Sequence, residues 1–144
     1  GQYDIREIKR LLSVFDDQCD LVNGYKIKRQ DPIIRKIIGK IYQILTRIIF
    51  RLPIRDPNCD FRLIRQKIIK KIDLKSTSGG VGVELVKKIQ LAGGRFKEVG
   101  VHHYPRQSGQ SQFFKLKNII ETLRDLRRLR IFILRAQSRS NRKR

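Results

Sequence analysis

The stretch RFKEVGVHHYPRQSGQSQFF, residues 95–114, decides how this sequence is organised. Its first part, 95–101, alternates apolar and polar residues, which predicts a strand with one face on a core. A loop of small and polar residues follows, and it carries a lone arginine, Arg106, close to Ser108 and Ser111. Guanidinium, hydroxyl and glycine amide groups in such a loop suit a phosphate group. The alternative is an ordinary polar loop.

Upstream of this stretch the sequence predicts few strands among several helices. CDLVNGY at 19–25 predicts a short buried strand that ends at Gly24. Apolar residues at helical spacing predict helices over about 5–15, over 33–52, from the turn at 55–63 to about Ile72, around 85–89, and from Phe113 onward. This mixture predicts part of an α/β domain, with too few strands for a complete sheet.

Two of these helices are strongly amphipathic and basic. The 33–52 helix and the 113–137 helix each carry an apolar stripe, with lysine and arginine on the remaining surface. Such a helix either packs into the domain core or lies on an anionic bilayer. We expect core burial for the first helix and a membrane-surface position for the second. The basic tail, 138–144, is predicted to be disordered.

The charge balance requires an anionic partner. The 144 residues carry a formal net charge of +21, too large an excess for solubility alone. Nucleic acid, an anionic bilayer and a phosphorylated ligand all meet this requirement. Cys19 and Cys59 make neither a disulfide framework nor a CxxC metal motif, which favours reduced thiols in the cytosol. No apolar run is long enough to predict a conventional membrane-spanning helix.

The order of motifs along the chain resembles a known enzyme family. GQYD opens the sequence, VNGYK stands at 22–26 and LPIRDPNCDFRLIR at 52–65. Glu84 follows within GVGVELVKKIQLAGGRFKEVGVHHYPR, and the RQSGQSQFF loop comes last. Together these motifs resemble the C-terminal half of glycosyltransferase family 2, in its dolichol-phosphate mannosyltransferase-like, polyprenyl-phosphate branch. The resemblance covers about residues 1–115.

This resemblance implies a GT-A fold, in which a Rossmann-like nucleotide half precedes an acceptor half. Residues 1–112 would be the acceptor portion of that domain, followed by the amphipathic basic helix. The family's nucleotide half carries an Asp-x-Asp motif that binds Mg²⁺ or Mn²⁺ and the donor diphosphate. Gly1-Gln2-Tyr3-Asp4 resembles the string that follows this motif, and no Asp-x-Asp occurs in the sequence. We therefore expect a fragment that is inactive alone.

The resemblance also assigns site residues. Gln2 would be a metal ligand through its amide oxygen, an oxygen donor that suits these hard cations. Phosphate or acceptor contacts would come from a basic set with one hydroxyl: Lys26, Lys40, Arg106 and Ser111. Lys40 has surface charge as its alternative. Asp56 would be a catalytic or donor-orienting carboxylate, or it would cap the turn that follows it.

The implied reaction moves a sugar, with inversion, from a nucleotide-sugar donor to a polyprenyl phosphate. A phosphate monoester is largely dianionic near neutral pH, because its second pKa is about 6, so it attacks without a general base. A sugar hydroxyl acceptor would need one, and Asp56 would then supply it. The enzyme would work at the cytoplasmic face of a membrane, either peripheral or anchored. The alternatives are a nucleic-acid-binding module and a non-catalytic remnant of a glycosyltransferase.

Overall fold

The computed structural model of the chain describes residues 2–29, 32–105 and 115–141. A 3-10 turn at Ile5–Glu7 leads directly into the first helix. In chain order the elements are α1 (Ile8–Leu12), β1 (Leu21–Arg29), α2 (Ile33–Phe50), β2 (Arg62–Ile64), α3 (Gln66–Ile69), α4 (Val81–Leu91), β3 (Phe96–His103) and α5 (Leu116–Asn141).

The strands form one sheet in the order β2-β1-β3. The central strand, β1, runs antiparallel to β2, with Val22 opposite Leu63. It runs parallel to β3, with Val22 opposite Lys97. The prediction of a mixed α/β fold with few strands is therefore confirmed for the described residues.

Hydrophobic clusters pack on both faces of the sheet. Because side chains alternate along a strand, Leu21 and Val22 enter different clusters. Val22 packs with Leu11, Cys19, Cys59, Val99 and Val101, whereas Leu21 packs with Ile68 and Ile89. A third cluster joins the end of α2, α4 and α5 through Phe50, Leu52, Ile54, Val83, Val86, Leu129 and Ile133. Full burial of one such side chain contributes about 1.5–3 kcal/mol.

Two glycines bring the turn that follows α2 close to the sheet and to α4. A Cβ on Gly24 would stand 2.6 Å from the Phe61 carbonyl oxygen, and a Cβ on Gly82 would stand 2.4 Å from that of Pro57. Neither site therefore has room for a larger side chain without a backbone shift. The turn is pressed between β1 and the start of α4, and this holds Asp56 beside β1.

Several predicted boundaries are wrong. β1 does not end at Gly24 but continues to Arg29, because Gly24 admits the Phe61 backbone and its own N–H donates to the Phe61 oxygen at 2.9 Å. The helix predicted over 5–15 ends at Leu12. The helix predicted to reach Ile72 is the single turn α3, preceded by the unpredicted strand β2. The tail predicted to be disordered from Ser138 is helical to Asn141, and 142–144 lie outside the described residues.

The predicted core burial of the 33–52 helix is also wrong. Within α2 only Thr46 and Phe50 are buried. The large aliphatic side chains of the helix are exposed: Ile33, Ile34, Ile37, Ile38, Ile41, Ile44, Leu45, Ile48 and Ile49. The helix predicted over 113–137, by contrast, packs one seam of α5 on the fold through Thr122, Asp125, Leu129 and Ile133. Leu126 is half-buried against the same cluster, whereas most other large apolar side chains of α5, such as Leu116, Leu123 and Leu134, are exposed.

Candidate functional site

A pocket of about 600 Å³ lies between β1, α2 and the turn after α2. It is lined by Tyr25, Lys26, Ile27, Lys36, Ile37, Lys40, Ile41, Gln43, Arg55 and Asp56. Three of the residues that sequence analysis singles out therefore line one cavity: Lys26, Lys40 and Asp56. They come from a strand, a helix and a turn.

Lys26 and Asp56 form a nearly buried ion pair at the inner wall of this pocket. Lys26 Nζ stands 3.3 Å from Asp56 Oδ2, and each side chain is 9% exposed. Lys26 also donates to the carbonyl oxygen of Asn58 at 2.9 Å. Low exposure makes these contacts stronger than a surface pair, because water screens them little. The ammonium of Lys26 is therefore held in place by the turn.

The second carboxylate oxygen of Asp56 is also occupied. Oδ1 accepts the backbone N–H of Asn58 at 3.1 Å, which is the contact that stabilises an Asx turn. From β1, the buried Asn23 donates through Nδ2 to the Asp56 carbonyl oxygen at 2.8 Å. Both carboxylate oxygens thus serve the turn and Lys26, and Asn23 is a positioning residue that sequence analysis missed.

The outer wall of the pocket combines positive charge with apolar surface. Lys36 and Lys40 lie one helical turn apart on α2 and share a side of it. Ile27, Ile37 and Ile41 supply the apolar part of the wall. No acidic residue occurs anywhere in α2, so Asp56 supplies the pocket's only lining carboxylate among the described residues.

Arg55 is fixed at the rim of the pocket by two neighbours. Its guanidinium lies 4.9 Å from the centre of the Tyr25 ring, within the range of a cation–π contact. Its backbone N–H donates to Glu98 Oε1 at 2.7 Å, and its Nε stands 3.6 Å from Glu98 Oε2. Burial raises the pKa of Glu98, and the contacts with Arg55 act in the opposite direction. The guanidinium of Arg55 is therefore fixed at the rim but stays in contact with water, since its side chain is 64% exposed.

Gln2 lies apart from this pocket, at the end of β3. The Tyr104 N–H donates to the Gln2 carbonyl oxygen at 2.9 Å, and Gln2 Nε2 stands 3.5 Å from the Tyr104 carbonyl oxygen. Within residues 2–29, 32–105 and 115–141, no three histidine, cysteine, aspartate or glutamate side chains gather as a metal would require. The described residues therefore hold no complete ligand set for Mg²⁺ or Mn²⁺ by themselves, since such a cation takes oxygen atoms from several residues.

Arg106 and Ser111, the loop residues that sequence analysis assigns to phosphate binding, lie outside the described residues. Pro105 is the last described residue before them. The two histidines that precede this loop lie on opposite faces of β3: His102 is exposed and pairs with Glu7, whereas His103 is buried. Adjacent strand residues are expected to diverge in this way.

Glu84, one of the residues that carry the resemblance, is a buried anchor rather than a pocket residue. Its carboxylate accepts the N–H groups of Lys75 and Ser76 and pairs with Lys88 Nζ at 2.6 Å. Burial alone would raise its pKa, but the hydrogen bonds from Lys88 and Ser76 outweigh burial and lower it. Glu84 therefore ties the loop before α4 to that helix.

Comparison with curated proteins finds similarity to undecaprenyl-phosphate sugar transferases. The undecaprenyl-phosphate 4-deoxy-4-formamido-L-arabinose transferases of Salmonella paratyphi B, Salmonella newport and Salmonella heidelberg are each 29% identical to this chain over 119 residues. The match covers 81% of this chain but 36% of each relative, so the chain spans about a third of their length. No protein-family model matches the chain. The chain is thus similar to part of a polyprenyl-phosphate sugar transferase.

Proposed function

We propose that this chain is the acceptor portion of a family 2 glycosyltransferase, which moves a sugar from a nucleotide-sugar donor to a polyprenyl phosphate. The observation that carries this proposal is the pocket of Lys26, Lys36, Lys40 and Arg55 with its isoleucine wall. A polyprenyl phosphate has a dianionic head and an apolar tail, and the pocket offers both kinds of contact. The similarity to part of an undecaprenyl-phosphate sugar transferase supports the same class of acceptor.

Within this proposal the cations of the pocket have different tasks. Lys36 and Lys40 form no ion pair with a carboxylate of the described residues, and Arg55 pairs with Glu98 but keeps its side chain 64% exposed, so these three would receive the phosphate. Lys26 is held by Asp56 and Asn58 and faces the phosphate from the inner wall. Asp56 acts as a positioning residue for Lys26. The isoleucines contact the first isoprene units.

The reaction needs little proton transfer from the chain. A phosphate oxygen of the acceptor forms the new bond to the anomeric carbon, the bond to the donor's diphosphate breaks, and the nucleoside diphosphate leaves. Because the attacking phosphate is already largely dianionic, no general base is required, and none of the described pocket residues is assigned that task. Arg106 and Ser111, which lie outside the described residues, remain proposed phosphate contacts.

We further propose that Mg²⁺ or Mn²⁺ is needed by the whole enzyme, with Gln2 as one ligand. Such a cation would stabilise charge on the departing diphosphate. Its other ligands would be the aspartates of an Asp-x-Asp motif, which this sequence does not contain. The chain alone is therefore expected to be inactive.

The proposed site of action is the cytoplasmic face of an anionic membrane. None of the described helices is long and apolar enough to cross a bilayer. The exposed apolar face of α2 is flanked by Arg35, Lys36, Lys40 and Arg47 and by no acidic residue of that helix. Basic residues near an anionic surface contribute about 1 kcal/mol each. Docking through α2 would bring the pocket that α2 lines to the membrane, where a polyprenyl phosphate resides.

Vesicle flotation with defined acceptors tests this proposal. Phosphatidylcholine vesicles that contain polyprenyl phosphate should bind the chain more tightly than vesicles with the corresponding polyprenol. Lys40→Gln should lose this preference about tenfold, because a hydrogen bond to a charged group contributes about 1.5–3 kcal/mol. Lys71→Gln, which removes an exposed charge elsewhere, is the matched control. Equal binding to both vesicles would contradict the proposal.

An activity assay tests the whole enzyme. The coding region upstream of this chain is restored, and transfer from a panel of labelled nucleotide sugars to polyprenyl phosphate is measured with Mn²⁺ or with EDTA. Metal-dependent, lipid-linked product that is lost in Arg106→Ala is the expected result. No product from any donor, together with salt-sensitive binding to nucleic acid, would favour the nucleic-acid-binding alternative.

A further inference from the structure

A second cavity, of about 290 Å³, lies at the C-terminal end of α2, whereas the pocket of about 600 Å³ lies beside the N-terminal half of that helix. The C-terminal end of α2, α4 and α5 enclose it. Its lining is Ile48, Ile49, Phe50, Arg51, Lys87, Arg130, Ile133 and Gln137. This set includes three cations and no carboxylate, and it shares no residue with the lining of the larger pocket.

Lys87 is the most unusual of these cations. It is only 8% exposed, and its Nζ donates to Gln90 Oε1 at 2.9 Å. No carboxylate of the described residues forms an ion pair with it. Burial lowers the pKa of Lys87, and the nearby positive charges of Arg51 and Arg130 lower it further. A buried lysine is normally paired, since an uncompensated buried charge is costly.

Arg51 reaches the cavity from a backbone conformation that favours glycine. Its φ of 49° and ψ of 55° are left-handed, at the residue that ends α2. Glycine is the usual residue in this conformation at a helix end, because a Cβ is disfavoured there. The Arg51 carbonyl oxygen accepts from Gln90 Nε2 at 3.2 Å, which fixes the local geometry.

Arg130 completes the group from α5. It donates to the Ile49 carbonyl oxygen at 3.1 Å, so one nitrogen is engaged at the end of α2. A guanidinium carries further N–H groups in the same plane, and these suit the oxygens of a phosphate.

From this arrangement we propose that Arg51, Lys87 and Arg130 form a binding site for a phosphate group. The group is held in the gap between α2, α4 and α5, where three elements each contribute one cation. A buried lysine with no carboxylate partner among the described residues and an arginine in a glycine-type conformation are both unfavourable, and a bound anion would offset both. A free phosphate ion and the headgroup of an anionic lipid present the same chemistry.

Calorimetric titration at constant ionic strength tests this site. The probes are inorganic phosphate and dihexanoyl phosphatidic acid below its micelle concentration, which carries a lipid headgroup without a bilayer. Arg51→Gly and Lys87→Met should each weaken binding about tenfold, as expected for the loss of one charged hydrogen-bond donor. Lys71→Gln, with a similar change of net charge on an exposed turn, should leave binding unchanged.

Unfolding measurements show whether a variant that binds less phosphate is still folded. Without phosphate, Arg51→Gly and Lys87→Met should raise the melting temperature, since each removes an unfavourable feature. Binding of both probes would indicate that a phosphate group alone suffices, and binding of the lipid alone would indicate a headgroup site. Either result supports the proposal if the binding is weakened in Arg51→Gly. Absence of binding to both probes, or equal losses in Lys71→Gln, would overturn it.

Discussion

The two long helices of this chain have similar amphipathic sequences, but they bury their apolar stripes to different extents. Both α2 and α5 carry an apolar stripe among basic residues. In α5 a seam of side chains at Leu129 and Ile133 is buried against the core, whereas the stripe of α2 is almost entirely exposed. An amphipathic pattern therefore indicates that a helix needs a nonaqueous neighbour, and it does not identify that neighbour.

Contacts with the loop before α4 explain part of this difference. Asp125 of α5 accepts from Ser78 Oγ at 2.6 Å, at the level of the buried seam. α2 contacts the same loop through Tyr42, whose hydroxyl donates to the Gly79 carbonyl oxygen at 3.2 Å. Burial raises the pKa of this tyrosine to about 12. α5 is thus part of the fold, and α2 is attached to it mainly along one side and at its C-terminal end.

The same leucine-to-alanine substitution in each helix gives the largest expected contrast. Leu129→Ala on α5 should lower the free energy of unfolding by about 2–5 kcal/mol, because it leaves a cavity in the core. Leu45→Ala on α2 should change it by no more than about 0.5 kcal/mol, since that side chain is 51% exposed. Urea unfolding of both variants measures the difference. Equal losses would mean that the α2 stripe is also part of the core.

Glu84→Gln tests how firmly the loop before α4 is tied to that helix. The change should cost about 1.5–3 kcal/mol at neutral pH, because the Lys88 ammonium loses its charged, buried carboxylate acceptor. The pKa of Glu84 is lower in the folded chain, so the unfolded state binds more protons in acid. Its contribution is complete above the usual pKa of 4.5 and is lost as pH falls through the folded value. Unfolding curves from pH 7 to pH 3 should therefore be less pH-dependent in Glu84→Gln than in the original chain.

Membrane binding should show the opposite ranking of the two helices. Leu45→Ser should weaken binding to vesicles that contain phosphatidylglycerol by about tenfold, because an aliphatic side chain no longer enters the bilayer. Leu123→Ser on α5, which changes a side chain that is 61% exposed, should weaken binding less. Flotation at one salt concentration compares them. A larger loss from the α5 variant would assign the docking surface to that helix.

Ser78→Ala addresses the polar tie between α5 and the loop, and it should lower stability less than Leu129→Ala or Glu84→Gln. Loss of the hydrogen bond to Asp125 should lower stability by about 1 kcal/mol. Lys70→Ala, on an exposed turn away from this contact, serves as the control. Hydrogen exchange at the amides of 76–80 should quicken in Ser78→Ala alone, and unchanged exchange would show that Asp125 does not hold the loop.

The local sequence pattern was sufficient to predict some secondary-structure elements but not others. The alternation at 95–101 predicts β3 well, because a strand with one buried face has this period. β2 has three residues, too few to show any period. Gly24 was misleading because glycine marks both strand ends and close backbone approaches, and here the Phe61 carbonyl requires it.

The candidate site required information that is not local. Lys26 and Asp56 are thirty residues apart in sequence, and their contact depends on Gly82 allowing the turn to lie against α4. The family resemblance pointed to both residues, but it did not predict that they contact each other. Lys36, Arg55 and Asn23 carry no signal in a single sequence, since a basic residue on a helix or a strand asparagine is common. Their relevance follows only from the cavity that the fold creates.

Because Lys26 is paired with Asp56 at low exposure, added salt should screen its charge less than the charges of the exposed cations of the pocket. At physiological ionic strength the Debye length is about 8 Å, so the field of the exposed Lys40 is short-ranged, and added salt shortens it further. The pair at the inner wall is shielded from that effect by its low exposure. Salt should therefore slow the arrival of the proposed anionic acceptor while leaving the inner wall unchanged, and this outcome would separate capture by α2 from final placement by the turn.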